Sequence, residues 1–187
     1  MIMEQNSAQK NMWNTAGKAG LFLGLASTAY LFITQAIGQA ELPAFLNPIL
    51  GFVLWAAKFV GCIWIMKIFM KRYVSENPDS TNSDTFKLGT AMALLSAIVY
   101  SAAAFANVAF ISPELFQTQI DMMMQQMAPM MDSNTMSVME TYMENLAQIT
   151  FISNLIYCFL FGMILSFILS RSIPSKDPFA EYKPDEQ

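Results

Sequence analysis

The chain has 187 residues, 55% of them hydrophobic and only 13% charged, with no histidine. A soluble domain is typically about 45–50% apolar and about 25% charged, so much of this surface is not built to face water. The net charge of −4 rules against a basic nucleic-acid footprint, and the missing histidine removes the usual proton shuttle and the commonest metal ligand.

Residues 1–18 are polar and carry Lys10 and Lys18. The first apolar run starts late, has no clear cleavage site and is long enough to span a bilayer, so a cleaved signal peptide is not expected. That run, 19–37, is the first predicted span. Gly17, Gly20, Gly24 and Thr28 put small residues along one side of it, a pattern that lets helices approach closely. A short loop with Pro43 follows and makes the first two spans antiparallel neighbours. The second span, 47–70, closes on Lys67, Lys71 and Arg72. The loop after it, to Phe86, is polar and turn-rich and offers Asp84 or Thr85 as a cap for the third helix. The third span covers 88–111.

Residues 112–148 are too many for a simple connector. Ser112-Pro113-Glu114 reads as a helix start, with a capping hydroxyl, Pro in the first turn and then an acid. Pro129 ends that helix, and Asp132-Ser133 starts another. Met136, Met139, Met143, Leu146 and Thr150 then recur at helical spacing. The expectation is a helical hairpin outside the membrane, its second arm continuous with the fourth span, 149–170. The last segment, 171–187, has three prolines and mixed charge and reads as a flexible cytoplasmic tail.

All four spans are long enough to cross the hydrocarbon core, which takes about 20 residues. Lys and Arg near spans stay in the cytoplasm. Here they lie before span one, between spans two and three, and after span four, while the other two loops have none. The expected fold class is therefore an all-α integral membrane four-helix bundle of the bacterial inner membrane, with both termini cytoplasmic.

Of the ten basic residues, only Lys58 lies near the middle of a span, about twelve residues from either end; the others fall in the loops, the terminal segments or the helix ends beside them. An ionisable residue there costs about 2.5–3.5 kcal/mol on insertion scales and usually faces the bundle interior. Its stem reaches about 6 Å against a half-thickness of about 15 Å, so it does not snorkel out. Tyr30, Tyr100 and Tyr157 fall at the same depth, although Tyr ordinarily prefers the interface. No Asp or Glu lies in any span. The expectation is a midplane layer with Lys58 held by tyrosine hydroxyls, joined by Ser96 or water. That layer reads as a site for an anion, proton or polar ligand, as a structural lock, or as a contact to a partner's acid.

Nine of the sixteen methionines lie between Met122 and Met143. Met is an adaptable apolar filler suited to binding surfaces, which makes Met123, Met124, Met127, Met130 and Met131 a candidate partner surface. Thioethers also suit Cu(I), the basis for a reading as an envelope metal or stress sensor. Cys62 and Cys158 sit singly inside apolar stretches and read as free, apolar-like thiols. With no nucleophile beside a base and no phosphate-cradling loop, nothing argues for an enzyme, a cofactor or a metal site.

Four features carry a family resemblance. They are the first span with Gly20 and Gly24, the basic end KIFMKRY of the second, the Met-rich QIDMMMQQMAPMMD, and the closing stretch NLIYCFLFGMILSFILSRSIPSKDPFAEYKP from Asn154 to Pro184. Over nearly its whole length the chain resembles the small four-span bacterial inner-membrane proteins of domain-of-unknown-function family 4199. The resemblance implies fold and location and brings no activity or site residue with it. The leading functional expectation is a non-enzymatic membrane protein acting through protein partners or as a homo-oligomer. The alternatives are a small transporter or channel using the Lys58 layer, and the sensor.

Overall fold

The computed structural model describes residues 2–40, 43, 45–127 and 132–173. Its elements are α1 (Ile2–Gln39), α2 (Leu46–Glu76), α3 (Asn82–Ala106), a π-helical turn (Asn107–Ile111), α4 (Pro113–Met127), α5 (Ser133–Glu144) and α6 (Leu146–Ser172). Among the described residues there is no strand. Helices α1, α2, α6 and α3 with its π-helical turn are each long and apolar enough to cross a membrane.

The side chains are distributed for lipid rather than water. Phe52, Trp55, Val60 and Trp64 on α2 and Ile156, Ile164 and Ile168 on α6 face outward, while Ala16, Ala19, Ala93, Ala97, Ser101, Ala104 and Ser166 are buried. Small residues inside let helix backbones approach where lipid tails remove the hydrophobic incentive to bury large ones. α3 is the central helix, packed along its length on α1 and α6, whereas α2 rests mainly on α1 and barely meets α6. A Cβ on Gly24 would fall 2.6 Å from Val99 Cβ, and one on Gly20 the same distance from Leu95 Cβ. These two glycines set the α1–α3 approach. Gly17 has nothing within 4 Å, so the expected small-residue stripe works through two of its three glycines.

On α3 and α6, Gly89 leaves room for Ser166, whose Oγ donates to Phe86 O at 2.9 Å. Met66, Met70, Leu88, Met92, Leu169 and Ile173 fill this end of the bundle, next to the α2–α3 connection. At the opposite end Asn107 Nδ2 donates to Gln35 Oε1 (2.6 Å) and Gln35 Nε2 donates to Ser112 Oγ (2.8 Å). The π-helical turn brings Asn107 and Ser112 to one residue of α1, with the Ser112 N–H donating to Asn107 O at 2.8 Å. One extra residue per turn is a local distortion, and here it serves that link.

Several boundaries differ from expectation. α1 runs through the polar N-terminal segment, which continues the helix. The cap of α3 is Thr81, in a reciprocal box with Asp84: Asp84 N–H donates to Thr81 Oγ1 and Thr81 N–H to Asp84 Oδ2. Asp84 therefore helps from the first turn, and α3 starts before the predicted span. Such a box satisfies two orphan donors at once. Asp132 caps α5 as the sequence indicates, accepting from Thr135 N–H at 2.8 Å. The expected continuity of α5 with the fourth span is broken at Asn145, which leaves helical geometry and donates Nδ2 to Thr141 O. The turn expected at Pro129 and the tail beyond Ile173 lie outside the described residues.

Candidate functional site

Between the packed end and the polar link, the bundle holds a half-open cavity of about 320 Å³. Leu23 and Ser27 of α1, Ala93, Ser96 and Tyr100 of α3, and Gly162 and Leu165 of α6 form much of its wall. The cavity exists because α2 stands off α3 and α6. A volume near 300 Å³ is at the small end of ligand pockets, which run to about 1,000 Å³.

Lys58 is the cation in this wall. Its Nζ lies 4.7 Å from the Tyr30 ring centroid and 4.9 Å from that of Tyr100. Both distances are inside the roughly 6 Å reach of a cation–π contact, worth about 0.5–1 kcal/mol exposed and about 2 desolvated. The expected grip by hydroxyls is thus replaced by two ring faces, one from each helix packed on α2's inner side. No carboxylate pairs with Lys58 among the described residues. Ring faces offer partial negative charge but are not hydrogen-bond acceptors of the carboxylate kind, so the ammonium keeps donor capacity that the rings do not use.

Tyr157 takes a different place. It lines the cavity, but the residue is 69% exposed. Depth along a helix put it beside Lys58; azimuth around α6 turns it to the rim. There it stacks on Phe161 at 6.2 Å, Phe161 meets Phe59 at 5.7 Å, Phe59 stacks on Trp55 at 5.6 Å, and Trp55 on Phe52 at 6.0 Å. These five rings line the α2–α6 seam, where the helix backbones stay apart and Phe59–Phe161 is the contact that crosses it. The sequence reading missed this ladder. Its signal is the spacing of Phe52, Trp55 and Phe59 on one side of α2 and of Tyr157 and Phe161 on α6.

Cys62 and Cys158 also line the cavity, both as free thiols. Their position in apolar stretches accounts for an apolar packing role and does not by itself place them on the wall shared with Lys58. The Met-rich segment is separate from this site. Among the described residues α4 has no buried side chain, and its main packing is on the π-helical turn. Met123 and Met127 are exposed and Met124 is half-buried; Met130 and Met131 lie outside the described residues.

Comparison with curated proteins and with solved structures found no match. A family model described as "Protein of unknown function (DUF4199)" matches residues 18–171, from the start of the first span to the end of α6. The segment that builds the bundle, the cavity and the π-helical link is that matched segment, and the chain belongs to the DUF4199 family.

Proposed function

We propose that this protein is a non-enzymatic membrane protein that binds an anion in the middle of its bundle, at Lys58. The observation that carries the reading is an ammonium set over two tyrosine rings on the wall of a cavity, with no carboxylate beside it among the described residues. A cation at that depth is costly and tends to mark a functional site. The distribution of Lys and Arg supports the bacterial inner membrane as its location, with both termini cytoplasmic. The test is thermal stability in dodecyl maltoside against chloride, nitrate, phosphate and short carboxylates. A ligand that binds only the folded state stabilises it by mass action. At least one anion raises the midpoint of the wild type and leaves Lys58→Met unmoved. If all anions act equally on both proteins, the reading is wrong.

A second reading is assembly with a protein partner or another copy. It is favoured by α4, which leaves Met122, Met123 and Met127 exposed on a helix whose main packing among the described residues is on the π-helical turn. Native mass spectrometry of the full chain and of a Met122/Met123/Met127→Ser variant separates the two. Loss of a complex in the variant supports assembly.

A further inference from the structure

We propose that the ligand of the Lys58 cavity is a single-chain anionic amphiphile of the fatty-acid type. It enters sideways from the bilayer through the α2–α6 seam, its carboxylate on Lys58 and its chain along the aromatic ladder. This rests on the anion-site reading and adds the ligand class and the route.

The route follows from which walls are closed. Toward the α2–α3 connection, Met66, Met70, Leu88, Met92 and Leu169 are buried and in mutual contact. Toward the other end, α1 and α3 are tied by Gln35 and Asn107, and α3 and α6 meet through Phe105 and Phe151 at 6.4 Å. The α1–α3 and α3–α6 faces are sealed by glycine contacts, Gly24 on Val99 and Gly162 on Ala93. The α2–α6 face differs, since the helices barely meet there and one ring contact, Phe59 on Phe161, spans the gap. Trp55 is 52% exposed and Phe161 37%, so rings that line the cavity also face the lipid side. A hydrated anion has no aqueous approach along this path, whereas an amphiphile already in the bilayer has one.

The chemistry of the wall agrees. Leu23, Trp55, Phe59, Met66, Ala93 and Leu165 offer a chain an apolar bed, and Lys58 with Ser27 and Ser96 offers a head group donors. The volume suits one chain; a two-chain phospholipid exceeds a cavity at the small end of the ligand range. A carboxylate is the charge that Lys58 lacks, and a charge-assisted hydrogen bond in a dry site is among the strongest polar contacts. The Phe59–Phe161 contact, with rings 50° apart, is the gate that such a ligand displaces.

The test uses the full chain in dodecyl maltoside with Trp13→Phe and Trp64→Phe, which leaves Trp55 as the sole tryptophan. A dibrominated stearate quenches Trp55 when its chain lies on the ladder. The expected result is saturable quenching at one acid per chain, weakened about tenfold or more by Lys58→Met and kept by Lys58→Arg. The dibrominated methyl ester gives only the linear, unsaturable quenching of micellar partitioning. Phe161→Ala speeds the onset of quenching in stopped flow. Circular dichroism and gel filtration establish that each variant is folded. Equal quenching by acid and ester, or by wild type and Lys58→Met, overturns the proposal. Iodide separates the two levels of inference. Saturable, Lys58-dependent quenching by iodide without any by the brominated acid keeps the anion site and removes the amphiphile. No Lys58 dependence with either probe removes both.

Discussion

Replacing Lys58 by Met asks whether this residue stabilises the bundle or is tolerated by it. On insertion scales a mid-bilayer Lys costs about 2.5–3.5 kcal/mol, and Met removes that cost while keeping a similar stem. The substitution also deletes two ring contacts, at 4.7 and 4.9 Å, each worth about 0.5–2 kcal/mol according to its dryness. The two effects nearly cancel. Lys58→Met should therefore change the unfolding free energy by no more than about 2.5 kcal/mol in either direction. A structural lock behaves otherwise, because removing one partner of a satisfied buried charge typically costs about 3–5 kcal/mol. Unfolding in mixed dodecyl maltoside–SDS micelles, followed by tryptophan fluorescence and circular dichroism, measures the difference. A loss above about 3 kcal/mol, in the lock range, refutes the reasoning and makes Lys58 structural. Tyr100→Phe is the control. It keeps the ring and loses only the hydroxyl, so it should leave stability near that of the wild type.

The remaining predictions concern the bundle that holds the site. Gly24→Leu puts a Cβ 2.6 Å from Val99 Cβ and 3.1 Å from Ser96 O and should destabilise by about 1–3 kcal/mol through overpacking. Gly17→Leu, with open space around it, should stay within about 0.5 kcal/mol, and equal losses at both positions in the same SDS titration would deny the α1–α3 approach. Gln35→Ala strips the partner from Asn107, which is 1% exposed, and should cost about 1–3 kcal/mol; hydrogen exchange at the π-helical turn should rise with it. Asp132 is held below the usual carboxylate range by hydrogen bonds from the Thr135 side chain and backbone N–H. A depressed folded value means that its contribution to α5 is present at neutral pH and disappears as pH falls through that lowered value. Amide exchange at Thr135 should accelerate in that acidic window and be independent of pH in Asp132→Ala once intrinsic exchange is corrected for.

The four spans were legible because each is a long apolar run in a chain with little charge, and the bilayer sets one length for all of them. The depth of Lys58, Tyr30 and Tyr100 was legible for the same reason: antiparallel helices of matched length bring equal depths together. Azimuth was not legible. Tyr157 shares the depth and sits on the rim, because which side of α6 faces α3 is decided by Gly162 against Ala93 and Ser166 against Gly89. The aromatic ladder was hidden for a related reason. Phe52, Trp55 and Phe59 on an apolar helix read as lipid-facing, and only the stand-off between α2 and α6 makes part of that face a cavity wall. The break at Asn145 escaped notice because the Met spacing runs across it. There the side-chain amide bonds Thr141 O, a local competition with the helix ladder that Asn is prone to.

The helix that carries the charge is the least packed of the four, and this bears on what the charge is for. Where the bundle ties helices together with polar groups, it does so with reciprocal partners at close approach. Ser166 donates to Phe86 O, and Gln35 joins Asn107 to Ser112. Lys58 is on α2, which stands away from α3 and α6, and among the described residues its ammonium meets ring faces rather than a carboxylate. A lock built that way gains little per contact and weakens with each fluctuation of a loosely held helix. A binding site gains from the same features. Loose packing leaves room, donor capacity that the rings do not use awaits an acceptor, and a helix seam crossed by a ring contact rather than backbone opens with side-chain rotation alone. Binding then orders α2 against α6. Hydrogen exchange along α2 should fall when an anionic single-chain ligand is present and should be unaffected by it in Lys58→Met.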